Sequence, residues 1–159
     1  MTQRIVKIAD FAVSAGNTTL VTIGLGSCVG IALYEPAARI GALAHVLLPH
    51  GTAALSAHTP GKYPHSAMEV MVRRMRELGA VGRIDARLIG GASMFAALLA
   101  PGATSLGARN IAAAQAACAD HEIPIVAQDV GGAHGRSVFF DVQAGDLLVR
   151  SMAVGDVHL

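Results

Sequence analysis

A cysteine sits in a glycine-bounded loop, Gly24-Leu25-Gly26-Ser27-Cys28, and a histidine follows in Gly41-Ala42-Leu43-Ala44-His45-Val46. Cysteine attacks a carbonyl as thiolate, yet a free thiol with a pKa of about 8.5 is mostly protonated at neutral pH. A neighbouring imidazole can take that proton and later deliver one to a leaving group. Gly24 and Gly26 allow a tight turn whose N–H groups can hold an oxyanion. Thr22, two strand positions before Gly24, carries a hydroxyl able to orient the imidazole or a substrate amide. Cys28, His45 and Thr22 are therefore the candidate nucleophile, base and orienting group. The competing reading makes Cys28 a small buried hydrophobe and His45 a core histidine with a satisfied hydrogen bond. Cys118 falls on the apolar stripe of an alanine-rich segment and is read as a core residue.

Strands and turns must bring these residues together. Thr19–Leu25, Val29–Tyr34 and Ala42–Leu48 are rich in apolar and β-branched residues and are expected to be adjacent strands. Tyr34-Glu35-Pro36 and Arg39–Gly41 punctuate them. Pro49–Lys62 reads as a loop. A helix is expected over Pro64–Leu78, with proline in its first turn and Gly79 as its stop. Its stripe would be Ala67, Val70, Met71, Arg74 and Leu78. Ile84–Ile89 reads as a strand running into Gly90-Gly91, and Met94–Leu99 as a short apolar segment. A second helix is expected over Arg109–Glu122, then a strand over Ile123–Val130. Ser137–Val142 and Asp146–Ser151 should pair as a hairpin around Ala144-Gly145. About seven strands cluster toward both ends, so strict β-α-β alternation fails. The expectation is an α+β fold: a layered α/β sandwich with a mixed β-sheet and two main helices.

The 159 residues fit one domain, taken as residues 1–159, with no repeat or linker. A net charge of +1 gives no bias toward nucleic acid or anionic lipid, and 4% aromatic residues offer little for base stacking. Only 14% of residues are charged, so membrane insertion has to be weighed. Phe11–Tyr34 and Ile89–Ala108 are uncharged, but glycines, a proline and hydroxyl residues interrupt both, so no span is expected. The first residues, with Arg4, Lys7 and Asp10, lack the apolar core of a secretory signal. Two cysteines in such a chain read as reduced thiols of a cytoplasmic protein. His50, His58 and His65 lack carboxylate company and helical spacing, so no metal is expected. Gly90-Gly91 and Gly131-Gly132 match no phosphate-binding fingerprint, so no cofactor is expected.

Thr22-Ile23-Gly24-Leu25-Gly26-Ser27-Cys28-Val29 and Ala44-His45-Val46-Leu47-Leu48-Pro49 resemble the signature of the chemoreceptor glutamine deamidase family, CheD. Lys62-Tyr63, Ile89–Phe95, Gly107–Asn110, and Asp129–Gly132 followed by Gly135-Arg136 resemble it in the same order. The resemblance runs from about Thr19 to Gly145. It implies a cytoplasmic hydrolase that converts glutamines on chemoreceptor helices to glutamate and releases ammonia. It carries the nucleophile to Cys28, the general base to His45 and the third catalytic residue to Thr22. It further implies a fold similar to the bacterial toxin deamidases and a CheC-type chemotaxis phosphatase as partner. Two other activities stay open on the residues alone. One is a non-catalytic binding module that regulates the phosphatase, and the other is a receptor methylesterase, since esters and amides share this chemistry.

Overall fold

The computed structural model describes every residue from Met1 to Leu159. Ten strands and three helices follow one another along the chain. The strands are β1 (Thr2–Ile5), β2 (Phe11–Ala15), β3 (Thr18–Leu25), β4 (Val29–Glu35), β5 (Ile40–Val46), β6 (Asp85–Gly90), β7 (Ile125–Val130), β8 (Arg136–Asp141), β9 (Asp146–Ser151) and β10 (Gly155–His158). The helices are α1 (Ala53–His58), α2 (Pro64–Glu77) and α3 (Leu106–Asp120), with short 3-10 turns at Pro60–Lys62 and Ala96–Leu98.

The strands form two five-stranded sheets, ordered β1-β3-β8-β9-β10 and β2-β5-β4-β6-β7. β1/β3 and β6/β7 are parallel and the remaining pairs antiparallel, so both sheets are mixed, as the α+β layered expectation required. Three layers result. Leu20, Leu25, Leu43, Phe140 and Leu147 fill the space between the two sheets. Ile31, Leu33, Met68, Met71, Met75 and Leu88 fill the space between the second sheet and the helices. The middle layer explains the sequence pattern. β4 and β5 are buried at every position because both faces are covered, so they read as continuous apolar runs rather than alternating ones. β8 covers one core face only, and its burial alternates along its length. Each of the fully buried methionines of α2 contributes roughly 1.5–3 kcal/mol by leaving water.

Several expectations need correction. The three early strands are not neighbours in one sheet. β4 and β5 pair, but β3 lies in the opposing sheet, against β1 and β8. The register shift between Thr22 and Leu25, with Gly24 at φ 74°, turns the chain out of the first sheet and sends it across to the second. β1, β2 and β10 went unrecognised. They are short strands at sheet edges, and β1 is exposed throughout, so no periodicity marks it. The Pro49–Lys62 loop contains α1, capped by the Thr52 hydroxyl accepting from the Leu55 N–H at 3.2 Å. α3 starts three residues earlier than expected because Ser105 caps it, accepting from the Ala108 N–H at 3.1 Å. In α2 the buried stripe runs through Met68 and Met75, while Arg74 and Leu78 are exposed. The β8–β9 hairpin turns at Ala144-Gly145 as expected.

Candidate active site

The loop between β3 and β4 crosses from one sheet to the other, and Cys28 is its last residue. Three consecutive carbonyls of this loop are tied down. The Gly26 oxygen accepts from the Ala92 N–H at 2.8 Å and the Cys28 oxygen from the Gly91 N–H at 2.8 Å. The Ser27 oxygen accepts from the Asn110 side-chain amide at 2.9 Å. Neither the Ser27 nor the Cys28 N–H donates to a protein oxygen. A row of engaged carbonyls with free amides beside a thiol is the arrangement that an oxyanion site requires. Gly90 makes the close approach possible. At φ 103° it adopts a conformation that disfavours side chains, and a Cβ there would collide with the Cys28 carbonyl oxygen.

His45 lies on β5, the strand beside β4, and is 1% exposed. Its ladder partner is Gly30, against which the Leu25 side chain packs. Cys28 and Ala32 share the face of the second sheet that looks toward the first, and so does Leu43, two residues before His45. His45 on β5 and Cys28, immediately before β4, therefore face the same side of the second sheet as diagonal neighbours, with the Leu25 side chain packed over Gly30 between the two sheets. Diagonal positions lie about 7–8 Å apart at the backbone, within reach of long side chains.

Thr22 reaches His45 from the opposing sheet. Its hydroxyl oxygen lies 2.7 Å from His45 Nδ1 and 2.7 Å from the Val6 carbonyl oxygen. The hydroxyl has one proton, and the Val6 carbonyl can only accept, so Thr22 donates to Val6. Thr22 must then accept from His45, which places the imidazole proton on Nδ1. Nε2 keeps its lone pair, and it is buried with no hydrogen-bond partner. This tautomer is the one a general base needs, and the main chain of residue 6 enforces it through Thr22.

Burial lowers the pKa of His45 below the usual imidazole range. Burial pushes the Cys28 thiol up, an effect partly offset by its own backbone amide. Neither group has a charged neighbour to reverse these shifts, so the resting site holds neutral thiol and neutral imidazole. Cys118 behaves differently. It lies in the helix-side core, and desolvation raises its pKa to about 11. Both cysteines are unpaired. His65 bonds to Asp120 at 2.9 Å across the surfaces of α2 and α3 and takes no part in the site.

Thr22→Val tests the relay. The near-isosteric change removes the acceptor for Nδ1–H and leaves the Val6 carbonyl unpartnered. Turnover is expected to fall roughly 10- to 100-fold, with KM nearly unchanged, because tautomer control acts on the chemical step. Steady-state kinetics checks this, and an unchanged kcat would remove Thr22 from the site.

The structure also reveals residues the sequence reading passed over. Asn110, which the sequence marks only as part of the Gly107–Asn110 motif, is fully buried and holds the Cys28 loop through the Ser27 carbonyl. A polar residue on the buried side of an apolar helix was the available signal, since such a group must find partners. Beside Ser27 a groove of about 170 Å³ is lined by Met94, Phe95, Leu99 and Leu106. Of that lining Phe95 is 72% and Leu99 41% exposed, an apolar rim beside Ser27.

The family profile described as "CheD chemotactic sensory transduction" matches residues 47–151. The chain is 37% identical over 155 residues to the "Chemoreceptor glutamine deamidase CheD" of Thermotoga maritima, covering 97% of this chain and 95% of the relative. It is 42% identical over 149 residues to a "Probable chemoreceptor glutamine deamidase CheD 2" of Geobacter metallireducens, covering 92% of each. A "Probable chemoreceptor glutamine deamidase CheD" of Desulforamulus reducens is 35% identical over 148 residues. The alignment to the Thermotoga protein omits at most a few terminal residues, so it takes in Thr22, Cys28 and His45. The chain belongs to the CheD family.

Proposed function

We propose that this chain is a cysteine amidohydrolase that deamidates glutamine side chains on the cytoplasmic helices of chemoreceptors. One observation carries the reading. The Val6–Thr22–His45 relay leaves a buried, unpaired Nε2 lone pair on the same sheet face as Cys28. A core histidine held only for packing would have both ring nitrogens satisfied or solvated. The names of the relatives supply the substrate class.

His45 Nε2 takes the Cys28 proton as the sulfur attacks the glutamine side-chain carbonyl. The free N–H groups of Ser27 and Cys28 hold the oxyanion. The tetrahedral intermediate collapses, the carbon–nitrogen bond breaks, and His45 protonates the departing amine, which leaves as ammonia. Water then enters, gives a proton to His45 and attacks the thioester. The bond to sulfur breaks, the product is glutamate, and the thiol is restored. The apolar rim at Phe95 and Leu99 suits the hydrophobic stripe of a substrate helix that presents glutamine to the loop. A CheC-type phosphatase is the second occupant we propose for the protein, resting on the family resemblance. All of this fits one catalytic domain working in the cytoplasm, where Cys28 and Cys118 stay reduced. No helix is long and apolar enough to cross a membrane.

Mass spectrometry of a receptor cytoplasmic fragment after incubation with the protein tests the reaction. Glutamine-bearing peptides should gain about one dalton with release of ammonia. Loss of a methyl group from esterified glutamates, without that gain, would instead make the protein a methylesterase. No change at either side chain would leave only a binding module.

A further inference from the structure

Asn110 stands out among the polar residues outside the proposed triad. It is fully buried on α3, a helix otherwise facing the core through Ala113, Ala114, Ala117 and Cys118. Its amide nitrogen donates twice, to the Ser27 carbonyl at 2.9 Å and to the Leu47 carbonyl at 3.1 Å. Ser27 precedes the nucleophile by one residue, and Leu47 follows the base by two. One side-chain amide thus bridges the loop bearing Cys28 and the strand end bearing His45. Both Asn110 hydrogens are committed, and its carbonyl oxygen is buried without a partner. Carrying an unsatisfied buried acceptor costs stability, so the residue is a poor choice for packing alone.

The neighbouring bonds say what the bridge controls. Gly26 and Cys28 present their carbonyls to the backbone after β6, and these two bonds fix the ends of the loop. The Ser27 carbonyl lies between them, with Asn110 as its only partner. The peptide plane joining Ser27 to Cys28 contains that carbonyl and the Cys28 N–H, which point in opposite directions. Holding the oxygen toward α3 therefore holds the N–H on the opposite side. His45 depends on this bridge far less. Its ring is set by Thr22, and its strand is fixed by pairing with β2 and β4 and by bonds from the Leu47 and Leu48 N–H groups to the Lys62 carbonyl.

We infer that Asn110 is a positioning residue for the oxyanion site, holding the Ser27–Cys28 peptide so that the Cys28 N–H faces the substrate carbonyl. This rests on the amidohydrolase reading above. The role predicts a split between two reactions of the same thiol. Deamidation passes through an oxyanion, whereas alkylation by iodoacetamide displaces iodide from saturated carbon and forms none.

Asn110→Ala and the isosteric Asn110→Asp should be assayed for ammonia release from a receptor cytoplasmic fragment and for Cys28 alkylation at the same pH. The expected result is a kcat lower by about 100-fold, the size seen when one oxyanion donor is lost, with KM within about threefold. Alkylation of the folded variant should stay within about threefold of the parent rate. Asn110→Asp keeps the shape but turns oxygens toward two carbonyls, so it reports even if the alanine variant fails to fold. Parental turnover in either folded variant would overturn the inference. So would an equal fall in turnover and alkylation, which would mean that the thiol itself had moved. A Cys28→Ala control run alongside separates the two levels, since ammonia release by that protein would sink the amidohydrolase reading and not merely the role of Asn110.

Discussion

Cys28→Ala is expected to reduce ammonia release from a receptor fragment to background, a loss on the order of 10⁴-fold or more. No other thiol can take over. Cys118 is buried in the core on the far side of the middle sheet, with its pKa pushed to about 11. The variant should still fold. Cys28 contributes one buried sulfur to the inter-sheet core, and its removal should cost about 1 kcal/mol. Circular dichroism and a thermal melt would establish that the fold survives, and a coupled ammonia assay would read the activity. A folded Cys28→Ala protein that still deamidates would exclude the thioester route.

His45→Asn should lower kcat by about 10²- to 10⁴-fold, the usual contribution of a positioned general base. The pH profile carries the more specific signature. In the proposed mechanism His45 works as the neutral base, and burial holds its pKa below the ordinary value of about 6.5. In the parent protein the acid limb of kcat/KM should therefore fall below about pH 6.5, with full activity above it. In His45→Asn that limb should vanish from the residual activity. The same shift acts on stability. The folded state binds this proton less readily than the unfolded chain, so stability is full above about pH 6.5 and declines as the pH falls toward the depressed value. A resting thiolate–imidazolium pair would behave differently, showing thiolate absorbance near neutral pH. Because burial raises the Cys28 thiol, that absorbance should appear only at alkaline pH.

The placement of the candidate residues was more legible in the chain than the architecture around them. Cys28 and His45 could be placed on adjoining strands because β4 and β5 are continuous apolar runs joined by a short turn, a local feature. The glycine-bounded loop was likewise readable, since tight turns leave a composition mark. The partition into two sheets was not. Whether β3 pairs with β4 or faces it depends on a register shift at Thr22–Leu25 and on which distant strand accepts the edge. β8 supplies that edge from more than a hundred residues away, and nothing near Thr22 announces it. The edge strands β1 and β10 are held by partners rather than by their own pattern. Asn110 escaped for the same reason, because its two acceptors lie at Ser27 and Leu47, distant in sequence and adjacent only in space.

The relay that orients His45 ends on the main chain at residue 6 rather than on a side chain. Any amino acid offers the same carbonyl, so position 6 has to satisfy only the apolar inter-sheet core in which Val6 is buried. Evolution can exchange it for another hydrophobe without touching the proton on Nδ1. Side-chain scanning would score the position as ordinary packing. The part this position plays in the proposed relay resides in the path of the backbone, so it leaves no mark in residue identity.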